Sequence, residues 1–114
     1  MNERQRKLAL SLAKAIMPAG DFERALAVEV RDTGFGFDEF GLEKEAAVLA
    51  FGIARVLHKH YFRVQSYGIE NVPSTGRALL IANHSGTLPL DAVMIAADIA
   101  ANMAKPRLMR AMVD

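Results

Sequence analysis

From Arg77 to Ala82 the chain reads Arg-Ala-Leu-Leu-Ile-Ala, then breaks into Asn83-His84-Ser85-Gly86-Thr87-Leu88-Pro89-Leu90-Asp91. A short unbroken apolar run suits a strand covered on both faces, because a strand with one wet face alternates instead. Upstream, Tyr61 to Tyr67 alternates and carries aromatic and β-branched residues, which predicts an earlier strand. Gly68 to Gly76 joins the two with turn chemistry. Asp91 to about Met103 predicts the next helix, Pro106 ends it, and Arg107 to Val113 begins a further strand. The expectation is therefore an α/β fold, with N-terminal helices followed by the first strands of an incomplete sheet.

The first half reads as helices. Residues 3 to 17 place Leu8, Leu12 and Ile16 four apart, while Arg4, Lys7, Ser11 and Lys14 share another face. Pro18 and Gly20 end that helix, and Asp21 is suited to cap a shorter one reaching about Val30. After the loop Thr33-Gly34-Phe35-Gly36-Phe37, a third helix is expected from Asp38 or Gly41 to His60, although Gly41 and Gly52 weaken it. This organisation divides the chain into an N-terminal helical region, residues 1–60, and the start of an α/β region, residues 61–114.

Composition removes several classes of function. No cysteine is present and histidines number three, so thiolate sites are excluded and no metal is expected. A formal charge of +1 lacks the basic excess of a nucleic-acid binder. Lys14 breaks the N-terminal apolar stretch too early for a secretory signal. The longest uncharged apolar segment, Ala46 to Ala54, falls well short of the ~18–20 residues that span a bilayer.

Residues leaving the C-terminal end of a strand in an α/β sheet are common places for chemistry. A histidine there can take a proton from an attacking hydroxyl, while a carboxylate on its other ring nitrogen selects the tautomer and stabilises imidazolium. Gly86 permits a tight turn and Pro89 suits helix entry, so the spacing can fold Asp91 back toward His84. The alternative is structural: His84 is a hydrogen-bonded loop residue and Asp91 caps the helix.

With these residues in view, the chain resembles the glycerophospholipid acyltransferase family, which includes lysophosphatidate acyltransferases. The resemblance runs from about Phe62 onward, through Gly68-Ile69-Glu70-Asn71-Val72-Pro73 and then Gly76-Arg77-Ala78-Leu79-Leu80-Ile81-Ala82-Asn83-His84-Ser85-Gly86. It implies a glycerolipid O-acyltransferase of phospholipid biosynthesis with His84 as general base and Asp91 as its orienting partner. It also implies a thioester of coenzyme A or acyl carrier protein as co-substrate, with no bound cofactor. The acceptor would be a glycerol-phosphate or lysophospholipid hydroxyl, and the location peripheral, at the cytoplasmic face of a membrane. The commonest family motif has four residues between His and Asp; here Pro89 holds that Asp position and Asp91 lies further along. Family members continue into a Gly-and-Arg block and a Phe-Pro-Glu-Gly block. Neither occurs in these 114 residues, so the chain reads as an N-terminal fragment expected to be inactive alone.

Other features have plainer readings. His58-Lys59-His60 reads as a solvated helix end, since residues two apart on a helix face different directions. Phe35, Phe37 and Phe40 read as core residues or as lipid-inserting ones. Arg77, Arg107 and Arg110 read as solvated side chains without the glycine-rich nest that phosphate binding uses. The Leu8, Leu12 and Ile16 stripe either packs on the sheet or enters the interface of an anionic membrane. The functional alternative to an acyltransferase is a noncatalytic, helix-rich module that binds lipid or protein.

Overall fold

The computed structural model describes residues 1–111. It is helical: α1 (Glu3–Ile16), α2 (Asp21–Ala27), α3 (Lys44–Val56) and α4 (Leu90–Asn102). A π-helical turn, Leu57–Tyr61, prolongs α3, and a 3-10 turn occupies Ile69–Asn71. No strand occurs among the described residues, so the expected α/β sheet is corrected to a helical fold.

Local chemistry sets the helix boundaries. Asn2 caps α1 by accepting from Gln5 N at 2.8 Å while Gln5 Oε1 accepts from Asn2 N at 2.9 Å. This reciprocal box satisfies donors that the first turn leaves open. The expected Asp21 cap is corrected: Gly20, at φ 89°, precedes α2, and Asp21 is its first residue. The Asp21 carboxylate instead accepts from Arg55 Nε at 2.8 Å. Helix α3 starts later than its apolar period suggested. Asp38 Oδ1 accepts from Phe40 N at 2.9 Å and Leu42 N at 2.8 Å, holding those amides in a turn instead of a helix.

The core lies among the first three helices. Ala13, Met17, Ala25 and Val48 form its buried centre, with Leu10, Phe22, Leu26, Leu49 and Phe51 packed around them. Small residues dominate because α1 and α3 approach closely. A Cβ on Gly52 would lie 2.9 Å from Met17 Cε and 3.2 Å from Ile16 Cδ1. The same glycine that weakens α3 by propensity thus allows the contact. Helix α4 packs on α2 and α3 and buries Met94, Ala97 and Ile99.

The strand expectations fail for a common physical reason. A helix closes its hydrogen bonds within itself, whereas a strand needs a ladder supplied from elsewhere in the chain. Tyr61 ends the π-helical turn, and Arg63 takes φ 50°, outside the β region. Residues 77–82 have no regular structure, and Leu79 and Ile81 are 69% and 88% exposed. Arg107 to Ala111 is likewise irregular, while Met112 and Val113 of that expected strand lie outside the described residues.

The aromatic loop also departs from expectation. Phe35, Phe37 and Phe40 are exposed instead of filling a core. Asp32 Oδ1 organises their loop by accepting from Gly34 N at 2.7 Å and Gly36 N at 3.0 Å. The stripe of Leu8, Leu12 and Ile16 is exposed as well, because α1 turns the neighbouring Ala9–Ala13–Met17 face inward.

Candidate functional site

Pro89 precedes α4 without a side-chain cap, which leaves the first amides of that helix short of partners. Asp91, in the first turn, supplies acceptors at that positive end. Its Oδ1 accepts from Ala92 N at 2.8 Å, and its Oδ2 accepts from Ser85 N at 3.0 Å. The loop turns through Gly86 at φ 88°, a conformation glycine adopts without a Cβ clash, and returns His84 to the carboxylate. His84 Nδ1 lies 2.9 Å from Asp91 Oδ1 and 2.8 Å from Oδ2. The structure therefore brings together the two residues singled out in the sequence, despite their unusual spacing.

The electrostatics follow from these bonds. The Ser85 N–H above all, then His84 and the Ala92 N–H, hold the Asp91 carboxyl below the usual carboxylate range. Asp91 is thus an ionised acceptor at neutral pH, and His84 Nδ1 carries the hydrogen between them. The His84 side chain is 57% exposed, and its Nε2 takes no hydrogen bond among the described residues. In the neutral ring that nitrogen holds the lone pair, which is the state a general base requires. Asp91 also serves the helix end, so the structural and chemical readings of this carboxylate coexist in one geometry.

His84 and Asp91 open onto a groove of about 860 Å³ lined by Leu79, Leu80, Ala92, Ile95, Ile99 and Leu108. Arg77, Arg107 and Arg110 border it as well. Arg107 is more than a solvated residue: its guanidinium donates to Pro73 O at 2.7 Å and Gly76 O at 2.5 Å, fastening the chain's turn. Arg110 pairs with Asp38 and lies 4.9 Å from the Phe40 ring centre. These partners occupy part of the donor capacity that an anionic ligand would use.

A second histidine–aspartate pair lies away from the loop. His58 was expected at a solvated helix end, but the π-helical turn buries its side chain to 3% exposure. Its Nε2 lies 2.9 Å from Asp98 Oδ1, and its Nδ1 lies 2.8 Å from Arg55 Nη1. Arginine only donates, so Nδ1 accepts and the ring is the Nε2–H tautomer, donating to Asp98. Asn102 Nδ2 also donates to Asp98 Oδ1, at 2.7 Å. The available sequence signal was Asp98 itself, a carboxylate inside an apolar helix, which requires a polar partner. Nothing local identified His58 as that partner.

Relatives cover only part of the chain. An uncharacterized protein of Mycobacterium leprae is 48% identical over 61 residues, which cover 51% of this chain and 16% of that protein. Uncharacterized proteins of Mycobacterium bovis and Mycobacterium tuberculosis are 39% identical over 62 residues, covering 54% of this chain and 17% of theirs. The chain thus matches less than one fifth of the length of these relatives. No protein-family model and no solved structure matches it.

Proposed function

We propose that this chain carries the base of a glycerolipid O-acyltransferase, in which His84 activates an acceptor hydroxyl for attack on an acyl thioester. The observation that supports this reading is the His84–Asp91 pair, with Nδ1 directed to an ionised carboxylate and Nε2 left open. Nε2 would remove the hydroxyl proton as oxygen attacks the thioester carbonyl. Asp91 would stabilise the imidazolium formed, and the proton would then leave with the departing thiolate. The apolar groove beside His84 suits a lipid-like substrate, and the reaction takes place at a membrane surface in this reading.

The test is acceptor-dependent thiol release by the longest natural form, using a long-chain acyl thioester and a lysophospholipid. His84→Ala should lower transfer by about 100- to 10,000-fold, the range for loss of a general base. Asp91→Asn should lower it too, because an amide cannot accept from both Ser85 N and Ala92 N while keeping His84 Nδ1 protonated. Full transfer by folded His84→Ala would refute the mechanism.

A second reading is a noncatalytic lipid-binding module, supported by the outer face of α1. Leu8, Leu12 and Ile16 are 59%, 47% and 40% exposed there. Arg4, Lys7 and Lys14 stand on the adjoining face, an arrangement suited to anionic headgroups. Vesicle binding without thiol release would favour this module over the enzyme.

A further inference from the structure

We infer that His58 is a positioning residue for the His84–Asp91 pair, acting through Asp98 and the body of α4; its catalytic consequence rests on the function proposed above. Asp91 and Asp98 stand two turns apart on α4, about 20° from perfect alignment and roughly 10 Å apart along the axis. One helix face therefore presents its first-turn carboxylate to an exposed histidine and its later carboxylate to a buried one.

The buried end sets how the helix is rotated. Asp98 is held by His58 and Asn102, His58 by Arg55, and Arg55 by Asp21 at 2.8 Å. Arg24 adds donors to the last turn of α4, reaching Ala100 O at 3.4 Å and also Met103 O. These bonds tie α4 to both α2 and the end of α3. The opposite end has no side-chain cap and follows an exposed loop. A helix of ~10–12 Å diameter that rotates by about 20° moves a side-chain tip on the order of 2 Å. That displacement breaks a hydrogen bond of 2.8 Å such as the one joining Asp91 to His84. Removing His58 releases the rotational setting, and Asp91 no longer holds the His84 tautomer.

The experiment is ¹⁵N NMR of the imidazole rings in the uniformly labelled protein at neutral pH, without substrate. Wild type should show His84 predominantly as the Nδ1–H tautomer. His58→Ala should convert it to a mixture, while circular dichroism retains the helices. His58→Gln places an amide donor near the Nε2 position and should restore the wild-type signature. Val48→Ala, which destabilises the core without touching Asp98, should leave that signature intact. A wild-type His84 signature in folded His58→Ala would overturn the proposal, as would an equal loss in Val48→Ala. Should His58→Ala not fold, Asp98→Ala provides the reading, because it removes the oxygen that accepts from His58 Nε2: a fall in the Nδ1–H fraction supports the positioning role, and no change overturns it. In an active form, His58→Ala should lower kcat by roughly 100-fold, the effect of a misplacement of about 1 Å, with KM little changed. Wild-type protein that transfers no acyl group would sink the proposed reaction yet leave the tautomer result standing.

Discussion

A double-mutant cycle on His58 and Asp98 gives a direct measure of what holds α4 in place. The two side chains are 3% and 10% exposed and meet at 2.9 Å, so solvent does not replace the bond when one partner is removed. His58→Ala leaves Arg55 Nη1 without its ring acceptor and Asp98 with Asn102 as its remaining side-chain donor. A buried polar group stranded in this way costs about 1–3 kcal/mol, and a carboxylate such as Asp98 falls at the upper end of that range. Asn102 remains on Asp98 and Asp21 remains on Arg55, which keeps the expected loss within that range, at about 3 kcal/mol. Asp98→Ala strands a single imidazole N–H and should cost about 2 kcal/mol. A domain of this length has a stability of ~6–15 kcal/mol, so both variants should remain folded. The single variants each break the His58–Asp98 bond and the double variant breaks it once, so the double variant should be more stable than the sum of losses by about 1.5–3 kcal/mol, the value of a hydrogen bond to a charged group. Urea unfolding followed by circular dichroism gives all the free energies needed. A coupling inside the ~0.5 kcal/mol scatter of independent sites would refute the claim that this pair anchors the helix.

The Asp91 contacts carry a defined pH dependence. Because the folded carboxyl lies below its usual 3.8, the stabilisation is fully present above that value and disappears as pH falls through the lowered folded value. Carboxyl ¹³C titration should therefore place the Asp91 midpoint below 3.8, and a midpoint above it would contradict the hydrogen-bond geometry. On vesicles of anionic lipid, Lys7→Glu and Lys14→Glu should each weaken binding at least about fivefold, from ~1 kcal/mol per basic residue near the surface. Added salt should weaken it further; salt-independent binding unchanged by either substitution would remove α1 as a membrane contact.

What could be read from the sequence was what depends on residues close together in the chain. The stop signals after α1, and the helix beginning near Asp91, rest on residues that are neighbours in the chain. The approach of His84 to Asp91 is legible for the same reason, since the turn at Gly86 returns one side chain toward the other. The apolar run 77–82 had no such local answer. Its composition suits a strand, but a strand forms only against a partner, and the described residues provide none. The phenylalanines between 35 and 40 failed similarly, because hydrophobicity does not state which surface a loop meets. Tertiary structure alone decided the His58–Asp98 pair, whose members are 40 residues apart. An apolar helix containing Asp98 demands a buried donor on physical grounds, but only the packing of α3 against α4 selects which donor arrives.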